Sequence, residues 1–522
     1  MSTLAGPSSD VTDGRRSTSP TQDLELSEEP SRSTTAREKG ELRKNSRGST
    51  RGVTLADDIV PDGASAQGYP PRRRSTGATR EASFSAPPLR ERLTELFTPE
   101  TPVGKEPSVV QSLKAIVFAS WLNLLLLLLI PGWVCHFTHQ NDTLVFILTF
   151  LTIIPLAKLL GFGTEEIALR VGQTLGGLLN ATLGNAVELI VAIIALAKCE
   201  IQVVQSSLLG SILSNLLLVL GMCFFAGGLR FSEQAFKDTA AQLNSSLLVI
   251  SVIAVLIPAG YNAAFASNVD EQREEENILK MSRGISIILL VVYLAYLLFQ
   301  LFTHQHLYAE GNADPNDEAL REGRPVWGTK NHRAFRQAKS VRKQGRLETG
   351  QEEDEEEEEV AQLNKYVALG LLVVVTVLVA LTAEFLVDSI NGLTDAHPEI
   401  SVEWVGLILL PIVGNAAEHA VSVSVHDKLD LSLGVAVGSS IQIALFVIPF
   451  MVTLGWIMDK PLSLLFNPFE SITLFLSVLL VNYTVQDGRS NWLEGFLLMA
   501  VYIIIAVAFW FFPDAANSAY TC

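Results

Sequence analysis

Cysteine is scarce in this sequence. Four stand in 522 residues, Cys135, Cys199, Cys223 and Cys522, and none forms a C-x-x-C pair. Neither a zinc site nor a disulfide framework is indicated. There is no H-E-x-x-H helix and no G-x-G-D aspartate motif, which argues against an intramembrane hydrolase and for a protein that is not an enzyme. No cleavable leader pattern opens the chain, and "MSTLAG" lacks the glycine after Met1 that N-myristoylation requires. Charge is also thin, at 18% of residues, and gathered in blocks. The net charge of −17 owes much to one run, "EEDEEEEE" at 352–359. No basic stripe marks the chain as a nucleic-acid binder.

What the sequence does have is apolar residues, 48% of the total, in long uninterrupted runs. A helix needs about 20 such residues to cross the hydrocarbon core of a bilayer. Eleven runs qualify: 113–133, 144–162, 175–197, 207–229, 240–261, 285–303, 367–390, 402–425, 433–457, 464–485 and 492–512. The chain therefore reads as an all-α multi-span membrane protein with 11 transmembrane helices, in contact with lipid. Residues 1–106 are rich in Ser, Thr, Pro, Gly and Arg and poor in large apolar side chains, as expected of a disordered tail. A second polar stretch, 304–364, holds a basic section and then the acidic run, and a short tail follows at 513–522. With tail and loop on the cytoplasmic side, Arg170, Arg230, Lys237, Lys428 and Arg489 fall there too, while Lys198, Arg273 and Lys460 dissent.

Two of the runs carry the same motif. "GNAVE" at 184–188 and "GNAAE" at 414–418 each set an asparagine and a glutamate three residues apart, on one helical face. Glu188 lies in the third run and Glu418 in the eighth. Five spans separate them, and an odd number turns the second copy over in the membrane. The arrangement is thus a peripheral first helix, 112–134, plus two inverted five-helix repeats, 143–303 and 365–512, the pattern of secondary transporters. A second match follows each motif: Ser211, Ser214 and Asn215 in "GSILSN", and Ser439 and Gln442 in "GSSIQ". Gly184 and Gly414 open the motifs and Pro411 precedes the second, so helix breaks are expected at these positions.

A carboxylate at mid-membrane costs roughly 2.5–3.5 kcal/mol on insertion scales, and neither motif run contains a lysine or arginine to offset it. Protons or a metal cation remain. The candidate ligands Glu188, Glu418, Asn185, Asn415, Ser211, Asn215, Ser439 and Gln442 are hard-oxygen donors, which suit calcium better than zinc or copper. If the two glutamates converge, two protons or one divalent cation each neutralise them, while the empty charged pair is too costly to reorient. That exclusion makes an exchanger with no resident cofactor, its ions being transported Ca2+ and H+. His419 has no counterpart in the first copy, where Leu189 stands. It either tunes or relays protons beside Glu418 or packs on another helix face. Glu384 and Asp388, four apart in the seventh run, either line a cation path or form a solvated helix end.

"GNAVELIVAIIALAK" and "GNAAEHAVSVSVHDK", with "QTLGGLLNATLGNAVE" upstream, "GSILSN" and "GSSIQIALF" downstream and an acidic loop between halves, resemble the vacuolar calcium/proton exchanger (CAX) family of the cation/calcium exchanger superfamily. The resemblance spans about 112–512. It implies the cation/calcium exchanger fold, a cation site around Glu188 and Glu418 with His419 as the second motif's histidine, and movement of cytosolic calcium into an acidic vacuole against protons. Sodium-driven relatives carry hydroxyls where this chain has Asn185-Ala186 and Asn415-Ala416, which favours protons as the counter-ion. A sodium-driven exchanger, or an antiporter of broader specificity that includes Mn2+, is the alternative. No oligomeric state is implied.

Overall fold

The computed structural model describes residues 106–171, 173–236, 238–265, 271–304, 361–415 and 429–512, all within one compact unit. The tail, most of the 304–364 loop and the last ten residues lie outside them. Apolar runs become helices, because a helix satisfies its backbone hydrogen bonds internally, which hydrocarbon demands. Among the described residues, seven helices are long and apolar enough to cross a membrane. They are α3 (Asp142–Ala168), α6 (Ile201–Arg230), α7 (Asp238–Phe265), α8 (Glu271–Leu298, continued by a π turn at Phe299–Thr303), α9 (Lys365–Ala396), α11 (Leu433–Ile457) and α13 (Trp492–Trp510). Three shorter apolar helices accompany them: α5 (Ala186–Ala197), α10 (Val402–Gly414) and α12 (Pro468–Thr484). The segment before α5 is a separate helix, α4 (Gln173–Leu183).

Three expected spans differ in detail. The first is not straight: α1 (Val109–Phe118) meets Trp121–Phe137, whose second half is α2 (Leu129–Phe137), at 85°. Ser120 starts the new segment by accepting from the Leu122 N–H, and the Asn123 amide donates back to the Ile116 carbonyl at 2.8 Å, so the corner has its own hydrogen bonds. The third run is broken at Gly184–Asn185. The sixth begins earlier than its apolar part, at Glu271, because "EQREEENILKMSR" is made of good helix formers and carries a Glu276–Lys280 pair at 2.7 Å. Cys199, whose φ is +66°, is in disulfide linkage, which the wide spacing of the cysteines did not suggest.

Helices α3 and α9 pack along each other, and α6 threads between elements of both halves, touching α5, α10, α11, α12 and α13. Its middle turn, Ser214–Val219, is a π turn; α10 has one at Val405–Leu409 and α11 one at Ile443–Val447. Such widened turns inside helices mark places where packing, not the local ladder, sets the backbone. At one end of the bundle a two-strand ribbon, β1 (Gln234–Ala235) and β2 (Arg489–Ser490), joins the α6–α7 and α12–α13 loops, with Arg489 paired to Glu233 at 3.3 Å. Also at a helix end, buried Glu166 of α3 accepts the N–H groups of Gln362 and Leu363 at 2.9 and 3.0 Å, and Arg170 binds both Glu166 and the Leu363 carbonyl. The chain entering α9 is thereby fixed to the end of α3.

Candidate cation site

The first motif becomes a helix break because glycine and asparagine are poor helix formers side by side. Helix α4 stops at Leu183, Gly184 and Asn185 make the turn, and α5 restarts at Ala186. Asn185 occupies the N-cap position, yet its side chain makes no capping bond. Instead its Oδ1 accepts from Ser439 Oγ of α11 at 2.6 Å, so an ordinary local bond is given up for a contact with the other half of the chain. Glu188 falls in the first turn of α5, where the N-terminal end of the helix favours negative charge. Its side chain is 7% exposed, and neither carboxylate oxygen has a hydrogen-bond partner among the described residues. Leaving a buried carboxylate without a partner costs several kcal/mol, about as much as a whole domain's margin can tolerate.

The second break faces that carboxylate. Helix α10 ends at Gly414, and Asn415 follows with its N–H still bonded to the Pro411 carbonyl at 2.9 Å. A side chain at Gly414 would collide with Glu188: a Cβ built there lies 3.0 Å from the Glu188 Cδ and closer still to Oε1. Glycine is thus required for the close approach. Asn415 is fully buried; its Nδ2 donates to the Ser211 carbonyl at 3.4 Å and its Oδ1 has no partner among the described residues. Pro411, expected as a break, is not one. The helix runs through it, and the π turn at Val405–Leu409 covers Leu407, the residue whose carbonyl a proline at 411 crowds. Gly210 of α6 lies against the same place: a Cβ there would stand 2.7 Å from both the Leu407 carbonyl carbon and Pro411 Cγ.

Around this crossing the structure gathers most of the expected donors. Asn215 Nδ2 donates to Ser439 Oγ at 3.0 Å, which closes a chain Asn215–Ser439–Asn185 across both halves, and Asn215 Oδ1 is left without a partner among the described residues. Ser211 and Glu188 line one cavity, bounded by Gly414 and by Leu386 of α9. Gln442 is buried one turn beyond Ser439, its Nε2 unpartnered among the described residues. Glu418 and His419 lie outside the described residues. Ser207 lines the cavity as well. Sequence reasoning missed it because the recurring motif begins at Gly210, although Ser207 stands four before Ser211 on the same face.

Glu384 and Asp388 are not brought to the cavity. Leu386 faces it, and its neighbours two positions either way point to the opposite side of α9. There both carboxylates meet Lys198, the residue closing α5: Nζ lies 3.8 Å from Glu384 Oε1 and contacts Asp388 Oδ1.

The oxygens left without a partner among the described residues, Glu188 Oε1 and Oε2 with the amide oxygens of Asn215 and Asn415, are hard acceptors buried at the crossing. A hard divalent cation satisfies such a set, and protons on the carboxylate satisfy part of it.

The sodium/calcium exchanger protein family matches this chain over residues 141–302 and 367–511. A vacuolar calcium ion transporter of Cryptococcus neoformans var. grubii is 52% identical over 504 residues, covering 85% of this chain and 83% of that one. A Ca(2+)/H(+) antiporter of Aphanothece halophytica is 43% identical, covering 74% and 96%. Among solved structures, native YfkE is 31% identical with a TM-score of 0.56, over 74% of this chain and 99% of that one.

Proposed function

We infer, from the premise that this chain belongs to the sodium/calcium exchanger protein family, that it is a secondary transporter exchanging cytosolic calcium for vacuolar protons. The relatives at 52% and 43% identity named as vacuolar calcium ion transporters support the vacuolar membrane as its place. The observation that carries the reading is Glu188, buried, with both oxygens unpartnered among the described residues, set against the Gly414–Asn415 break of the other motif. We assign Glu418, three residues past Asn415 in the motif, to the same site on the one-face spacing that pairs it with that asparagine. The two carboxylates hold either calcium, completed by amide and hydroxyl oxygens, or protons. With neither, the site carries unscreened charge too costly to reorient, so each crossing requires one cargo or the other.

The architecture assigned to this function is eleven spans in two inverted repeats, 143–303 and 365–512, beside the first helix. Counted with the bent pair and the three shorter helices, the apolar segments among the described residues number eleven. Motif, helix, π turn and helix recur in the same order at 184–230 and 414–457. Ten residues separate Glu188 from Lys198 at the end of α5, a rise of about 15 Å or half the hydrocarbon core, which suits a midplane site. We place the tail and the 304–364 loop in the cytoplasm. Asn185-Ala186 and Asn415-Ala416 offer no hydroxyl that would favour sodium.

The test is calcium uptake by purified protein in sealed vesicles with an acid interior and no sodium. Uptake should collapse on adding a protonophore, and Glu418→Gln should abolish it in folded protein. Uptake that follows sodium and ignores the proton gradient overturns the assignment.

A further inference from the structure

The residue that caps the Glu188 helix at its C-terminal end is a lysine, Lys198, and it does not point at water alone. Lys198 Nζ donates to the Glu384 carbonyl at 3.3 Å, lies 3.8 Å from Glu384 Oε1, and contacts Asp388 Oδ1. One residue past the left-handed Cys199, Glu200 accepts from the Asn391 amide at 2.8 Å. Glu384, Asp388 and Asn391 are spaced i, i+4, i+7, so the α5–α6 turn meets a single polar stripe of α9.

The depth of that stripe follows from the helix itself. Its exposed edge is apolar at Tyr366, Val373, Val377 and Leu381, as a lipid-facing edge must be, and turns polar at Glu384. Nineteen residues separate Lys365 from Glu384, about 28 Å of rise and close to one hydrocarbon thickness. The half-exposed carboxylates therefore stand at the membrane surface opposite the Lys365 end. In the orientation given above, on which this inference rests, that surface is the vacuolar one, where calcium is released.

We propose that Lys198 is an affinity-setting residue for release: a tethered cation seated between Glu384 and Asp388, where it cancels one of the three negative charges, those of Glu384, Asp388 and Glu200, that calcium leaving the Glu188 cavity meets. Three carboxylates without it, Glu200 included, would hold divalent cations at the exit and return them to the site. With Lys198 in place the exit binds calcium weakly, and accumulated calcium inhibits further uptake less. The lysine touches neither cavity nor cargo, so its influence is confined to one face of the membrane.

The experiment uses the full chain in acid-interior vesicles preloaded with graded calcium. Two quantities are read: the outside calcium that half-saturates uptake, and the inside calcium that half-inhibits it. Lys198→Met should lower the inside value about threefold, the effect a half-exposed ion pair carries, and leave the outside value unchanged. Lys198→Arg should match the unmodified protein. Asp388→Asn, which removes a negative charge instead, should shift the inside value the other way and serves if Lys198→Met does not fold. The shifts should vanish near about 1 M salt, where the Debye length is about 3 Å. An unchanged inside value, equal changes on both sides, or a shift indifferent to salt overturns the proposal. Failure of the unmodified protein to take up calcium under a proton gradient instead overturns the functional reading.

Discussion

The two Gly-Asn-Ala motifs are almost the same in sequence and are used differently. In the first copy, Asn185 points its amide oxygen across to Ser439, and among the described residues the glycine before it meets only its own helix: a Cβ at Gly184 lies 2.7 Å from the Asn180 carbonyl oxygen. In the second, Asn415 uses its amide nitrogen to hold the Ser211 carbonyl, its oxygen is left over, and Gly414 is pressed against Glu188. What precedes each motif accounts for part of this. Helix α4 enters the first break as plain α-helix, whereas α10 arrives through a π turn and Pro411 and is wedged against Gly210 of α6. Among the described residues, the first motif thus gives a ligand-bearing turn, and Gly414 and Asn415 of the second supply space and an acceptor. In the inverted-repeat arrangement proposed above, such asymmetry is expected of a single conformation, since a site open toward one face cannot present both copies alike.

The largest expected effect follows from the carboxylate that both halves surround. Glu188→Gln keeps the size of the side chain and removes its charge and its ability to take a proton. Calcium uptake should fall below detection, while the elution profile and melting temperature of the purified protein stay unchanged. Normal transport would show that the orphaned oxygens are a packing accident and that the second copy works alone.

Next in size is the contrast between the glycines. Gly414→Ala drives a methyl group into Glu188, and overpacking of this kind costs about 1–3 kcal/mol, so calcium half-saturation should rise about tenfold or more. Gly184→Ala strains only its own turn and should change it about twofold at most. Equal losses would sharpen the comparison in another direction, placing Gly184 against Glu418 during the cycle.

How far the primary structure revealed this arrangement varies with the range of the interaction. Every one of the eleven apolar runs contains a helix, because hydrocarbon leaves the backbone few other choices. The break at Gly184–Asn185 was likewise legible, being local in cause, and so was the end of α10 at Gly414. The bend at Ser120 was not, since the apolar run continues straight through it and the bonds that make the corner come from single polar side chains, Ser120 and Asn123. Pro411 misled for a related reason: a proline signals trouble in the ladder, but the π turn ahead of it absorbs the clash. Glu384 and Asp388 were visible as a pair, but the ion pair that fixes them was not, because their partner Lys198 is nearly two hundred positions away. The bond from Ser439 to Asn185 has the same character, spanning the two halves.

That bond supports the smallest contrast. Ser439 Oγ does two jobs at once, donating to Asn185 Oδ1 and accepting from Asn215 Nδ2. Its counterpart in the other half, Ser211, holds Asn415 through the backbone carbonyl, which an alanine would keep. Ser439→Ala therefore strands two buried polar atoms, at about 1–3 kcal/mol between them, and should raise the calcium needed for half-saturation about five- to tenfold. Ser211→Ala loses a hydroxyl at the cavity wall and no bond between the halves, so about a twofold rise is expected. Both are read from initial uptake rates at fixed pH gradient. Should Ser211→Ala prove as damaging as Ser439→Ala, its hydroxyl binds the cation directly, and the two serines are equivalent ligands even though only one of them bridges the halves.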